Sequence, residues 1–451
     1  MPNHNRRHFL KLGCKTIAGA GLLANAPLAF AQDSSALSAS YRALVCINLQ
    51  GGNDGFNMLV PSGSAEYAEF RSGRGHLAVP REDLLPLYTA TANTTPIGLH
   101  PQMSGLSSLF EQGQLAAVAN VGTLVQPVTT EAVRNQTASL PTQLYSHHDQ
   151  SSQWHKLNHR QSAHSGWGAR AANVLAEQQP YRSLASISLD GSNDWQVGGV
   201  DQAYNISSYG VNNYSGMDDI GSEWQQARRN AFTQLLHLQY DNVFEQAYAD
   251  LQLRAMVLSA NVGAALERLG ELQTPVPADN PLADQLQMVA RLIAIKDEFR
   301  MSRQLFYVNF GDFDTHDDQL ENQPRLLGQL AEALVYFNEV LTELGELDNV
   351  TSFTMSDFGR TVTSNGDGTD HGWGSHHWVM GGSVKGGDVY GNMPRLAIDG
   401  PDDAGHGRII PTTAVSQYAA TLLRWIGLTD TELHAALPTL SNFSDEPQFM
   451  L

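Results

Sequence analysis

Three polar knots in this 451-residue chain hold most of the side chains that could do chemistry. They are Ser146-His147-His148-Asp149-Gln150, Asp312-Phe313-Asp314-Thr315-His316-Asp317, and Asp370-His371-Gly372-Trp373-Gly374-Ser375-His376-His377. Asp54, in Gly51-Gly52-Asn53-Asp54, and Asp357, in Ser356-Asp357-Phe358, add two carboxylates that each follow an apolar run. Carboxylate oxygens and neutral imidazole nitrogens both ligate at about 2 Å, so a mixed set suits Zn²⁺ and similar borderline cations. The candidate ligands are therefore Asp54, Asp312, Asp314, His316, Asp357, His371, His376 and His377. Plainer readings stand beside them. Asp54 could shape its turn through its own side chain, and Asp314-Thr315-His316 could cap the next helix. His100, His164, His237, His406 and His434 stand alone and read as surface or core histidines.

Two further residues have a catalytic reading. Ser146 precedes a helical stretch from His147 to Leu157, so its hydroxyl is either an N-cap or a nucleophile activated by nearby histidines and a cation. Arg360 either clamps an oxyanion bidentately or pairs with an acidic neighbour.

The elements that must position these residues alternate. Strand-like runs at Ala43 to Leu49, Ala116 to Val121, Leu305 to Phe310 and Val350 to Met355 each end in a polar turn. Helical patterns run from Arg325 to Leu344 and from Thr412 to Ile426. Alternation of this kind predicts an α/β fold with a central, mostly parallel sheet and helices on both faces, with ligands bound beyond the carboxyl ends of the strands. Residues 199–221 are rich in Gly, Asn, Ser and Tyr, and 222–302 read as long helices, so 199–302 is expected to form an insertion or helical cap. The stretch from Asn365 to Gly374 reads as irregular.

The N-terminus reads as a processing segment. Arg6-Arg7 precedes a weakly apolar stretch from Leu12 to Ala29, and Ala29-Phe30-Ala31 offers an A-x-A cleavage site. The expectation is a twin-arginine signal peptide over 1–31, a single domain over 32–451, and a periplasmic or secreted protein with no membrane span after cleavage. Loss of the four cations Arg6, Arg7, Lys11 and Lys15 would take the net charge from −19 to −23. Such a surface repels phosphate backbones and anionic headgroups, which argues against nucleic acid and membrane surfaces as partners. Of two cysteines only Cys46 lies beyond the signal, so no internal disulfide is expected.

Six ordered motifs carry a resemblance. Arg6-Arg7, Asn48-Leu49-Gln50-Gly51-Gly52-Asn53-Asp54-Gly55, Ser146-His147 with Gln150 and Trp154, Phe313-Asp314-Thr315-His316, Ser356-Asp357-Phe358-Gly359-Arg360-Thr361 and Asp370-His371-Gly372-Trp373-Gly374 resemble the exported bacterial family catalogued as domain of unknown function 1501. That family is similar in turn to the alkaline phosphatase and sulfatase superfamily. The resemblance implies an alkaline-phosphatase-like sheet and a divalent metal: Zn first, with Ca, Mn or Mg as alternatives. It assigns Asp54 to the carboxylate after the first strand, Asp314 or Asp312 with His316 to the aspartate and histidine pair, Asp357 to the late aspartate and His371 to the final histidine. Phe358 stands where the superfamily has a histidine ligand. His376 or His377 could replace it, Asp370-His371 could be the pair, or one metal alone could bind.

These readings lead to an exported metal-dependent hydrolase of phosphate or sulfate esters. Its partners would be an anionic ester, small or polysaccharide, and the twin-arginine translocase during export. The alternative is a non-catalytic member of the same fold that binds a polysaccharide or a cell-envelope partner. An oxidoreductase finds no Gly-x-Gly-x-x-Gly after a strand and no cysteine cluster.

Overall fold

A computed structural model describes residues 40–91, 95–157, 164–211 and 222–451. The expected signal segment 1–31 and its cleavage site lie outside the described residues. Ser40–Leu451 forms one compact unit.

The continuous apolar run of β1 (Arg42–Leu49) predicts a strand covered on both faces, and it lies inside a nine-stranded sheet. The other strands are β2 (Leu115–Gly122), β3 (Ser186–Ser188), β4 (Tyr204–Asn205), β5 (Arg303–Phe310), β6 (Val350–Ser356), β7 (Ser375–Met380), β8 (Val389–Tyr390) and β9 (Thr413–Ala414). They run in the order β8-β2-β7-β6-β1-β5-β3-β4, with β9 beside β2. β1 pairs in parallel with both β5 and β6, while β7 runs antiparallel to β2 and β6. The sheet is therefore mostly parallel, as the alternating pattern predicts.

Side chains alternate across a strand, so β1 feeds two cores. Ala43, Val45, Ile47 and Leu49 join a cluster with α7 (Pro281–Ala294) and α8 (Gln319–Glu343). Leu44 and Cys46 join another with α4 (Trp167–Ala176) and α9 (Val415–Ile426). The result is a sheet between two helical layers. Three further helices matter below: α1 (Gly55–Met58), α2 (Ser64–Arg74) and α3 (His147–Lys156). Within 222–302 the chain forms α5 (Glu223–Leu236), α6 (Val243–Leu269) and α7. Of these, α7 packs on β5 and α8 as part of the main core.

The stretch expected to be irregular contains a strand. Thr369–His371 pairs with Arg360–Ser364 in an antiparallel ribbon beside the sheet. Among the described residues no helix is long and apolar enough to cross a membrane.

Candidate metal centre

The carboxyl ends of β1, β5 and β6 and the amino end of antiparallel β7 meet at one edge of the sheet. The loops after β1, β5 and β6, the ribbon that precedes β7, and the start of α3 crowd together there. Two glycines allow the approach. Gly51 has φ +111°, and a Cβ on it would lie 2.6 Å from the Asp314 backbone nitrogen. Gly52 has φ +86°, and its Cβ would fall 2.4 Å from the Phe358 ring.

Asp314 is the hub. His316 Nε2 lies 3.2 Å and His371 Nε2 3.5 Å from its Oδ1, and His147 Nε2 lies 3.4 Å from its Oδ2. His147, Asp314 and His371 each offer one ligand atom, and these atoms lie within 4.8 Å of one another. Donors around a tetrahedral cation at about 2.1 Å sit roughly 3.4 Å apart, close to the distance of each ring nitrogen from its Asp314 oxygen.

Each imidazole is oriented from its far side. His147 Nδ1 lies 2.8 Å from Asp357 Oδ2, His371 Nδ1 lies 2.7 Å from the Tyr145 carbonyl, and His316 Nδ1 lies 3.4 Å from Asp370 Oδ1. A carbonyl can only accept, so the His371 proton sits on Nδ1 and its Nε2 carries the lone pair. The Asp357 carboxylate sets the same tautomer on His147. His316 Nε2 faces the His371 Nε2 lone pair at 2.7 Å. That contact needs a proton or a cation to hold it. His147 Nε2, also buried, has no hydrogen-bond partner. The donor set therefore fits a metal ion, with the His316 and His371 nitrogens parting by about 0.7 Å around it.

Electrostatics prepare the hub for a cation. Burial opposes ionisation of Asp314, but the hydrogen bond and charge of Arg360 prevail and hold its carboxyl below the usual range. The hydrogen bond that His147 donates to Asp357 raises the imidazole above its ordinary value. Burial lowers His371, helped by the charges of its neighbours His147, Arg360 and His316, which keeps its lone pair free near neutral pH.

Several sequence candidates fall elsewhere. Asp54 caps α1, and its oxygens are taken by Arg74 at 2.8 and 2.9 Å, by Gln319 at 2.7 Å and by the Asn57 N–H. Both members of the Asp54–Arg74 pair are fully buried, so this carboxylate balances a cation already in the protein. Asp312 is an exposed turn residue at φ +73°. Asp357 stands behind His147 and not beside Asp314. It also accepts from the Gly51 N–H at 3.3 Å.

His376 and His377 point into the two cores from β7. The His376 Nδ1 accepts the Asn120 N–H at 3.2 Å, and the His377 ring packs between Trp154 and Tyr418. Burial brings both down to about 3, so they stay neutral. Neither replaces the missing ligand beside Phe358. The ring of Phe358 instead lies 4.7 Å from His147 and 4.6 Å from His371, walling the cluster.

The catalytic candidates Ser146 and Arg360 both make structural contacts. Ser146 caps α3, with its Oγ 2.7 Å from Asp149 Oδ2 and 3.4 Å from the Asp149 N–H. Arg360 is fully buried and donates to the carbonyls of Gly51, Gly52, Phe313 and Thr369 and to Asp314. An oxyanion would find no free edge on it. The candidate ligand that sequence reasoning missed is His147, which stands in the first polar knot. Arg408 went unnoticed too. It is half-buried, lies over the Tyr145 ring at 4.1 Å, and places its Nε 3.4 Å from the His371 carbonyl.

No curated protein matches the chain. Solved structures are similar at low level, among them the following three. Ps i-CgsB in complex with k-i-k-neocarrahexaose is 11% identical, with a TM-score of 0.36 over 90% of this chain and 77% of that chain. The lipoteichoic acid synthase LtaP from Listeria monocytogenes is 8% identical, with a TM-score of 0.36 over 87% and 73%. The PsFucS1 sulfatase from Pseudoalteromonas sp. is 11% identical, with a TM-score of 0.34 over 92% and 74%. Likeness at this level bears on neither activity nor substrate. The match to a family model is of another kind, because it runs over residues 41–436: the chain belongs to DUF1501, a family described as protein of unknown function.

Proposed function

We propose that this chain is an exported metal-dependent hydrolase of phosphate or sulfate esters, with Zn²⁺ held by His147, His316, His371 and Asp314. The observation that carries the reading is the set of three imidazoles whose Nε2 atoms converge on one carboxylate, two of them hydrogen-bonded from behind through Nδ1. Three nitrogens and one oxygen suit Zn²⁺, whereas Ca²⁺ and Mg²⁺ want oxygen shells. Such an ion supplies Lewis-acid polarisation of an ester oxygen and makes water a nucleophile near neutral pH.

The protein's own residues do the rest. Asp357, Asp370 and the Tyr145 carbonyl hold the rings in place. Phe358 excludes water from one side. Arg360 keeps Asp314 ionised and fixes the Gly51-Gly52 loop beneath it. Arg408, over the Tyr145 ring and beside the His371 carbonyl, is the cation this reading assigns to an anionic ester group. Export by the twin-arginine route, folded and metal-loaded, is part of the same proposal.

A second reading, a non-catalytic binder of an anionic polysaccharide or cell-envelope partner, draws on one observation. The Ser146 hydroxyl, the nucleophile candidate, is committed to Asp149. The test is metal content with turnover of aryl phosphate and aryl sulfate esters, in the parent and in His147→Ala. Bound zinc with turnover that disappears in His147→Ala supports the hydrolase. Stoichiometric zinc without turnover of any ester supports the binder, and a chain that takes up no metal contradicts both.

A further inference from the structure

The helix α6 carries one apolar stripe at helical spacing, Phe244, Tyr248, Leu251, Leu258, Val262, Ala265 and Leu266. Its carboxyl-terminal half enters the protein core: Val262 and Ala265 are fully buried, Leu266 nearly so, and Leu258 packs against the same cluster. The amino-terminal half continues the stripe into solvent, with Phe244 85% exposed, Tyr248 61% and Leu251 50%. Helix α5 packs on α6 and presents Trp224 at 67% and Leu235 at 53%, seen with Val243 and Leu238 on the same hairpin. A hollow between the two helices is lined by Leu235, Leu236, Tyr240, Phe244 and Tyr248.

Water is a poor cover for such a surface. Soluble monomers rarely present a continuous apolar patch above a few hundred Å². At roughly 200 Å² per aromatic side chain, Trp224, Phe244 and Tyr248 alone expose about 400 Å². The exposed Leu235, Leu238 and Leu251 extend this toward the roughly 800 Å² per partner of a stable interface. We infer that the α5–α6 hairpin is a dimer interface, covered by the same hairpin of a second copy.

The shape fits that occupant. The 14 residues of α5 and the exposed half of α6 are of matching length, roughly 21 Å each, so two hairpins can close a four-helix bundle about a two-fold axis. Two-fold symmetry makes the patch self-complementary, and the hollow lined by Leu235 and Phe244 is then available to an aromatic side chain from the partner. The candidate metal centre lies on loops at the sheet edge and takes no residue from this hairpin, so dimerisation and metal binding are separable.

The experiment is sedimentation velocity on the purified full chain from about 1 to 100 µM, a range that spans a micromolar Kd. The parent is expected to sediment as a dimer at the upper end. Phe244→Glu and Leu251→Glu, both at exposed positions, are expected to sediment as monomers with unchanged circular dichroism and melting. A parent that stays monomeric at 100 µM overturns the inference, and so does a dimer that both variants retain. A monomer that floats with zwitterionic phosphatidylcholine vesicles would assign the patch to lipid, which also overturns it. If one variant misfolds, the other decides.

Discussion

In Asp54→Asn the Arg74 guanidinium keeps its burial and loses its counter-charge. Both side chains of the pair have zero exposure, and two nitrogen-to-oxygen contacts of 2.8 and 2.9 Å join them. Asparagine still offers one oxygen to Gln319 or Arg74 but no negative charge. Breaking a buried pair from one side costs about 3–5 kcal/mol, because the remaining ion stays desolvated. The retained amide hydrogen bond offsets about 1 kcal/mol of that, which leaves an expected loss of roughly 2–4 kcal/mol. Urea unfolding followed by tryptophan fluorescence measures it. The midpoint should fall while the slope stays the same. Below the transition, zinc stoichiometry should equal that of the parent, since Asp54 balances Arg74 and ligates nothing. Unchanged stability with lost zinc would refute the reasoning and return Asp54 to the ligand set.

Other expectations follow from the same geometry. Asp357→Asn removes the carboxylate that orients His147 and should weaken zinc binding by about 10- to 100-fold with little change in melting, as competition with a chelating dye can show. Gly52→Ala forces a Cβ against the Phe358 ring at φ +86° and should cost about 2–5 kcal/mol of strain and overpacking in urea unfolding. Acid should destabilise the fold below pH 6.5. Burial holds His100 and His155 at about 4 and His376 and His377 at about 3, so each is neutral when folded and charges more readily when unfolded. Their stabilisation is complete above the unfolded value and is lost at about 1.4 kcal/mol per pH unit per histidine as pH falls toward those folded values. Urea midpoints measured from neutral pH downward check this, and His376→Gln should flatten the slope.

The central sheet was legible because its strands are buried on both faces. Runs such as Ala43 to Leu49 and Leu305 to Phe310 admit few other readings, and the polar turns after them mark the edge where the candidate cluster forms. The ribbon of Arg360–Ser364 and Thr369–His371 was not legible, since its strands are short and polar and pair only through the surrounding loops. Nor does any local signal give β7 its antiparallel sense. That sense places His376 and His377 inside the sheet and His371 at its rim.

The site was half legible for a related reason. Residue type and position after a strand picked out Asp314, His316 and His371, which do come together. The same signal picked out Asp54, and its outcome was decided by Arg74 on α2 and Gln319 on α8. Partners that remote leave no trace in spacing. His147 stands beside Ser146 in the first polar knot, but nothing in the local pattern says which way its ring turns. Its pairing with Asp357 spans 210 positions.

The most direct measurement is X-ray diffraction above and below the zinc absorption edge from crystals of the protein grown with Zn²⁺. The account predicts one strong anomalous peak within bonding distance of the Nε2 atoms of His147, His316 and His371 and of an Asp314 oxygen, with Asp54 still on Arg74. No peak there, or a peak coordinated by Asp54, His376 or His377, would contradict it.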